Sequence, residues 1–392
     1  MAPPARLPGT PRLLRALNDR AALELLLDRG PLTRSQLGEL TGLSKVTASQ
    51  LMERLEERGL VTRVGKQAGG RGPNAQLYAV APESAYVVGV DAGPDRVVAA
   101  CADITGGVSG RVVQSTRDTD DPVGLVHNAV VRAADRAGAP LDRVRRVVLG
   151  TPGLVDPTTG DITFAFNLPR WHQGLLAALR EDLKIPVVFE NDVNLAAVAE
   201  AQCGAARQVR DFALVWADTG VGLAIMLGGR LHHGSTGAAG EIGYLPVPGV
   251  AIPRDASRRA KPAFGQLAGA DALRAVGREY GFQGANAAEV IRSAIAAGTT
   301  GGPFLDEVAR RLALGVASTC VVLDPPLVVL AGEVGRAGGS ALAERVQHEV
   351  AAITLVSPRV VPTGVTDEPV LWGALRTALE AVRDEVFGST TA

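Results

Sequence analysis

The chain has little of what marks several protein classes. Its 392 residues include only three cysteines, Cys101, Cys203 and Cys320, each about a hundred positions from the next and none in a CxxC pair. That spacing argues against a disulfide framework or a thiolate zinc site and leaves three packing residues expected in the interior. Aromatic side chains make up 4% of the chain against 46% hydrophobic residues overall, so small aliphatic side chains carry the apolar character. Such a composition suits an α/β protein with many small-residue turns and argues against disorder. No run of about 18 uncharged apolar residues occurs, and the opening MAPPARLPGTPRLL lacks the apolar segment of a secretory signal. We therefore expect a cytoplasmic protein that does not use a membrane. The length predicts two or three domains rather than one core.

The near-absence of net charge, −1, conceals a division. Residues 1–80 carry 12 Lys+Arg against 7 Asp+Glu, and the remainder carries 28 against 34. A basic head on an acidic body is the pattern of a DNA-binding module joined to another unit, although charge alone also fits a solvated basic face. Within the head, PRLLRALNDRAALELLLDRG places Leu13, Leu14, Leu17, Leu23, Leu26 and Leu27 at helical spacings, and Gly30-Pro31 stops the helix. Thr33 and Gln36 form a T-x-x-Q capping box for a short second helix, Thr41-Gly42-Leu43 reads as a turn, and Ser44 caps a third helix.

In the third helix Ala48, Leu51, Met52 and Leu55 fall on one face. Lys45, Val46, Thr47, Ser49, Gln50 and Arg54, together with Ser44, are left to face a DNA groove. Gln50 can read adenine with two hydrogen bonds, Lys45 can reach guanine, and Val46 can meet a thymine methyl. LVTRVGKQAGGRGPNAQLYAV then reads as strand, glycine-rich loop and strand, a wing with Arg71 at its tip for the minor groove. The alternative is a third helix that packs a protein partner and a wing that is only a hairpin.

Beyond a short linker at Ala81-Pro82-Glu83-Ser84, YVVGVDAGPDRVVAACADITGGV and FALVWADTGVGLAIMLGGRLHHG share one plan of strand, acidic turn and strand. Between them IPVVFE ends at Asn191-Asp192, where open α/β sheets hold ligands. These two residues also suit a helix cap. From the residues alone Asp192 is open to three readings: catalytic base, ligand for a polyhydroxylated molecule, or N-cap.

The ordered segments GTPGLVD, NLPRW, PVVFENDVNLAAVAE, ADTGVGLAIMLGGRLHHGSTGAAGEIGYLPV and LDPPLVVLAGEVG resemble the ROK family (repressors, open reading frames and sugar kinases) over about residues 85–390. The resemblance implies a winged helix-turn-helix over 1–80 and a duplicated actin-like (ribonuclease H-like) α/β body over 81–392. Lobe one would span about 85–195 plus a C-terminal helix at 370–388, and lobe two about 196–369. It also implies sugar contacts at Asn167, Asn191, Asp192 and Glu241, with Asp192 matching the family's catalytic base.

The sequence departs from the kinase branch at three places. Where that branch has Asp-x-Gly-Gly-Thr around ATP phosphates, this chain has Asp91-Ala92-Gly93-Pro94-Asp95, in which proline removes an N–H donor and a carboxylate is added. Tyr244 replaces the zinc-binding, sugar-binding histidine after Glu241-Ile242-Gly243, and the cysteines that follow it in the family are missing. No glutamate stands near Gly265-Gln266. We therefore expect no metal, no cofactor and no kinase activity, with Asp192 and Tyr244 serving effector binding. The resulting expectation is a repressor that binds a double-stranded operator as a homodimer or dimer of dimers in the nucleoid and senses a small polar effector, a sugar or sugar derivative. Two alternatives remain: a sugar kinase with an accessory head, and a regulator that binds no small molecule. A zinc site built from His232 and His233 would overturn the metal expectation.

Overall fold

The computed structural model describes residues 11–67, 75–117, 121–164, 174–252 and 262–388. Its head comprises α1 (Pro11–Arg29), β1 (Leu32–Thr33), α2 (Arg34–Thr41), α3 (Lys45–Glu57), β2 (Val61–Gln67) and β3 (Ala75–Val80). The capping box forms as its spacing predicts: the Thr33 hydroxyl accepts from the Gln36 N–H, and the Gln36 side chain accepts from the Thr33 N–H. Gly42 ends α2 at φ 71°, a left-handed conformation that costs glycine little. Ser44 then caps α3. Strands β2 and β3 form an antiparallel hairpin with β1 added to β3, which completes a winged helix. Along α1 the leucine period runs from the start, but the core of the head begins only at Ala22. Leu23 and Leu26 are buried there, whereas Leu13, Leu14 and Leu17 are exposed.

Lobe one follows with β4 (Tyr86–Ala92), β5 (Arg96–Asp103), β6 (Val108–Ser115), α4 (Pro122–Arg136), β7 (Val144–Thr151), the short pair β8 (Leu154–Val155) and β9 (Ile162–Phe164), α5 (Leu175–Leu183), β10 (Val187–Asn191) and α6 (Asp192–Cys203). Lobe two contains β11 (Phe212–Ala217), β12 (Val221–Leu227), β13 (Arg230–Leu231), α7 (Ala263–Ala268), α8 (Ala270–Glu279), α9 (Ala287–Ala296), α10 (Gly302–Leu323), β14 (Leu327–Ala331), α11 (Gly332–Ile353) and β15 (Arg359–Pro362). The chain ends with α12 (Pro369–Gly388).

The sheets repeat one topology, β10-β7-β4-β5-β6 in lobe one and β15-β14-β11-β12-β13 in lobe two. In each, the first three strands make an antiparallel meander and the last two add in parallel. This is the duplicated actin-like plan. Parallel addition places the C-terminal ends of β4, β7 and β10 side by side, which is where ligands of open α/β sheets collect.

α12 returns to lobe one and crosses α6 so closely that a Cβ at Gly373 would lie 1.9 Å from the Leu195 carbonyl oxygen. Only glycine permits that approach. Leu195, the α12 residues Leu375, Leu379 and Phe387, and the head residues Leu23, Leu51 and Leu55 belong to one continuous core. The cysteines divide: Cys101 and Cys320 are buried as expected, but Cys203 is exposed, because the last turn of α6 emerges from the packed region.

Candidate functional site

The cleft begins at the junction of β10 and α6. Asn191 caps the helix: its Oδ1 accepts from the N–H groups of Val193 (2.9 Å) and Asn194 (3.1 Å), while its Nδ2 donates to the Gly153 carbonyl (3.0 Å). The cap reading of Asp192 therefore passes to its neighbour. Asp192 is the first helical residue, and its Oδ1 accepts from the Val193 N–H at 2.8 Å. The helix behind it is buried through Val193, Leu195, Ala196, Ala197 and Ala199, so its apolar residues do not define a single stripe.

Glu190, which the sequence reading passed over as a strand residue, organises the junction. Its Oε1 accepts from the Asn191 N–H and the Asn194 Nδ2, each at 2.9 Å, and its Oε2 pairs with His233 Nε2 at 2.8 Å. Glu190 belongs to lobe one and His233 to the loop after β13, so the pair spans the lobes. The glutamate holds the His233 value above its usual level, against the opposing effect of burial. Among the described residues no group of three or more His, Cys, Asp or Glu is arranged to hold a metal ion.

A cavity of about 670 Å³ lies between the lobes. It is lined by Asp192 and Pro152-Gly153 from lobe one, and by Trp216, Asp218, Glu241, Tyr244 and Gln266 from lobe two, among others. Trp216 sits near the end of β11 and Tyr244 closes a 3-10 turn that begins directly after Glu241. Tyr244 and Gln266 thus stand in the same cavity as Asp192. Trp216 was missed because a strand tryptophan is more often a core residue than a cleft wall.

Negative charge accumulates here. Burial raises the Asp192 carboxyl to about 6, with the Val193 N–H opposing and Asp218 adding to the rise. Burial, followed by the charge of Asp192, raises Asp91 to about 7. Glu241 is raised by burial and then by Asp192, and Asp218 chiefly by burial. Tyr244 is raised by burial and by Glu241. Burial is the first cause for each of these carboxyls, with Arg96 opposing the rise at Asp91 and Arg336 opposing it at Asp218.

The first acidic turn is closed on itself. The Gly93 N–H donates to the Arg96 carbonyl at 3.0 Å, the Thr116 hydroxyl donates to the Pro94 carbonyl, and Asp95 pairs with Arg117 at 2.8 Å. Pro94 offers no N–H donor, and the Gly93 N–H is engaged in the hairpin.

On α3 the side chains of Ser44, Lys45, Val46, Thr47 and Gln50 are exposed, Ser49 is half-buried, and Ala48, Leu51, Met52 and Leu55 are buried opposite. Ser44 accepts from the Thr47 N–H at 3.2 Å and exchanges a hydroxyl hydrogen bond with Thr47 at 2.9 Å, so both help to form the cap. Arg54 departs from its expected place on the exposed face. Its guanidinium turns inward to the buried Asp19 on α1, which also binds Arg58, because a buried carboxylate requires such compensation. Arg71 and Asn167 lie outside the described residues.

α12 connects these two regions. Near its start Gly373 seats against α6, and near its end Asp384 accepts from Arg20 at 2.6 Å while the Val386 carbonyl accepts from Arg58 at 3.2 Å.

Comparison with known proteins places both parts. The family described as ROK family matches residues 87–380, and the family described as MarR family matches residues 17–72. The N-acetylglucosamine repressor of Escherichia coli O157:H7 is 28% identical over 243 residues, 61% of this chain and 59% of that protein. The xylose repressor of Bacillus subtilis (strain 168) is 26% identical over 246 residues, 60% of this chain and 61% of that one. The chain therefore matches under two thirds of the length of these curated relatives. Among solved structures, a ROK family transcriptional regulator described as a homolog of E. coli MLC protein superposes with a TM-score of 0.75 at 18% identity, covering 95% of this chain and 98% of that one. That likeness establishes the fold of head and body together. A ROK hexokinase from Thermus thermophilus gives a TM-score of 0.62 at 26% identity, covering 76% of this chain and 99% of that one.

Proposed function

The chain belongs to the ROK family, and from that premise we propose that it is a sequence-specific transcriptional regulator, a repressor, whose cleft senses a small polar effector of the sugar class. The observation that carries this reading is the continuous core joining the winged helix to α12 and α6, the helix that begins with Asp192. A ligand that draws the lobes together displaces α6, α6 carries α12 through the Gly373 crossing, and α12 carries the head. Paired heads would then lose their spacing on a two-fold operator, and occupancy of DNA would fall.

In this reading 1–80 is the DNA-binding head and 81–392 the effector-binding and dimerising body. The chain acts as a homodimer or dimer of dimers in the cytoplasm. Asp192, Glu241 and Tyr244 meet the effector, with Asn191 holding the end of α6 in place. Lys45, Val46, Ser49 and Gln50 read bases, while Ser44 and Thr47 form the cap. The kinase alternative has in its favour the likeness to the Thermus hexokinase. Against it stands the closed first turn, because phosphoryl transfer depends on donors arranged around the moving phosphate.

The test is gel-shift titration of the full chain on its own upstream DNA. Gln50→Ala should weaken operator binding by about 1–3 kcal/mol and relax preference at one base pair per half-site. Asp192→Asn should bind operator like the parent in the absence of effector yet resist release by it. Unaltered operator binding by Gln50→Ala together with unaltered release of Asp192→Asn would refute the assignment.

A further inference from the structure

The chain returns from lobe two to lobe one through Thr363 to Glu368, which separate β15 from α12. Both ends of this crossing are fixed. On the lobe-two side the Thr363 N–H donates to the Leu330 carbonyl of β14 at 2.9 Å, and Arg336 of α11 donates to the Thr366 carbonyl at 2.7 Å. Gly364 and Val365, between them, are held by Glu200. On the lobe-one side Arg111 of β6 donates to both oxygens of the Glu368 carboxylate, from Nε to Oε2 at 2.9 Å and from an Nη to Oε1. The Arg111 carbonyl in turn accepts from Arg136 of α4 at 2.8 Å. The Glu368 carbonyl accepts from the Trp372 N–H at 3.0 Å and so opens α12. The crossing is thus held as far as Thr366 from one side and from Glu368 onward from the other, with Asp367 between.

Glu368 adopts φ 46°, and among the described residues the other non-glycine residues with positive φ are Lys184 and Asp324. Those two end α5 and α10, where a left-handed cap is usual. Glu368 instead precedes a helix and stands directly before Pro369, a position ordinarily driven to extended backbone. A β-carbon in the left-handed region costs free energy that the surroundings must supply. The forked pair with Arg111 supplies it, and the same pair holds the Glu368 carboxyl below its usual value. The crossing also communicates with the cavity: Arg336, which holds Thr366, acts on Asp218 in the cavity wall.

We propose that Asp367-Glu368 is the hinge on which the lobes turn and that the Arg111–Glu368 pair is its latch. While the pair holds, Glu368 stays left-handed and α12 keeps one setting relative to lobe two. When it parts, Glu368 reverts to extended backbone, and α12 with the head takes another setting. The hinge stands on the crossing itself, whereas its effect on DNA rests on the regulator reading above.

The experiment is hydrogen exchange of the full chain, read by mass spectrometry over residues 366–373, with gel-shift titration on the upstream DNA alongside. Arg111→Ala should speed exchange in that segment about tenfold, while β4 and β11 exchange as in the parent. Adding Glu368→Gly to Arg111→Ala should bring exchange back to within about threefold of the parent, because glycine holds a left-handed conformation without help. Adding Glu368→Gln, which removes the same charge but keeps the β-carbon, should restore nothing. An ion pair with no backbone duty would respond to the two substitutions alike. On two-fold operator DNA Arg111→Ala should bind about tenfold more weakly than the parent, and on a single half-site within about twofold of it.

Unchanged exchange in Arg111→Ala overturns the latch, and equal recovery with Glu368→Gln and Glu368→Gly overturns the strained hinge. Faster exchange with unchanged operator binding upholds the hinge and refutes the coupling of α12 to the head. A parent that binds no operator refutes the regulator reading, and the exchange measurements still decide the hinge.

Discussion

In lobe one the turn after the first strand runs through Gly93-Pro94-Asp95-Arg96 and is sealed by its own hydrogen bonds and by Arg117; in lobe two the corresponding Asp218-Thr219-Gly220 lines the cavity. The strand orders around the two turns are the same. Topology therefore does not decide which turn meets a ligand. Local contacts at the strand ends decide it, here the Gly93–Arg96 backbone hydrogen bond and the Asp95–Arg117 pair.

The aspartates of the two turns differ in the same sense. The Asp218 carboxylate accepts from the Thr219 N–H at 2.8 Å, whereas among the described residues Asp91 has no hydrogen-bonding partner for its carboxylate. The Asp218 charge is supported by a hydrogen bond and by Arg336, the Asp91 charge by Arg96.

The largest effect should come from breaking the joint that the lobes share. Gly373→Val forces side-chain atoms into the Leu195 carbonyl and should cost about 3 kcal/mol or more, read as a lowered urea midpoint. If the variant unfolds like the parent, α12 does not seat on α6 as described.

The next effect sharpens the contrast between the two turns. A carboxyl raised in the folded state holds its proton more tightly folded than unfolded. Its favourable contribution is complete below the unfolded value of about 4 and is lost as pH rises to the folded value. For Asp91 that window ends at about 7. Asp91→Asn should therefore stabilise the chain by about 1–2 kcal/mol at pH 8 and hardly at all at pH 4. Asp218→Asn should gain less, because the Thr219 N–H and Arg336 already favour the Asp218 carboxylate. Equal gains from the two variants would remove the distinction between the turns.

A smaller effect belongs to the interlobe pair. With His233 raised by Glu190, its contribution is complete below about pH 6.5 and disappears as pH rises through the raised value. His233→Gln should lower stability by about 0.5 kcal/mol at pH 5.5, a figure kept small because the imidazole is partly solvated, and by less at pH 8. Thermal melts at the two pH values measure it, and the reverse order would exclude a charged pair.

The smallest effect expected is none. Pro94→Gly with Asp95→Thr rewrites the first turn as Asp-x-Gly-Gly-Thr, and coupled ADP assays with hexoses should detect no turnover in the parent or in this double variant. The Gly93 N–H remains engaged by Arg96, so restoring residues does not reopen the hairpin. Turnover in the double variant would place the whole difference between the turns in those two side chains.

Local chemistry accounts for what could be read from the sequence. The Thr33–Gln36 box, the Ser44 cap, the buried face of α3 and the repeated strand plan follow from spacings within a few residues. Other features needed distant partners. Arg54 looked exposed by helical period until Asp19, from another helix, drew it inward. Glu190 looked like an ordinary strand residue because His233 lies 43 positions away. Cys203 looked internal by type, although its turn projects beyond the core. In the cleft the residue types were legible, but the gathering of Trp216, Tyr244 and Gln266 around one cavity was not, since three separate segments supply it.

Glu200, buried near the far end of α6, accepts hydrogen bonds from the N–H groups of Ala205 (2.6 Å), Gly364 (2.9 Å) and Val365 (3.0 Å), and from the Thr363 hydroxyl. Thr363 to Val365 follow β15 of lobe two, while the opposite end of α6 is tied through Asn191 to lobe one. A rod fastened at one tip to each of two plates resists being drawn lengthwise. Closing of the plates would then tilt the rod as a whole, and the head, joined to it through α12, would be swung rather than pulled.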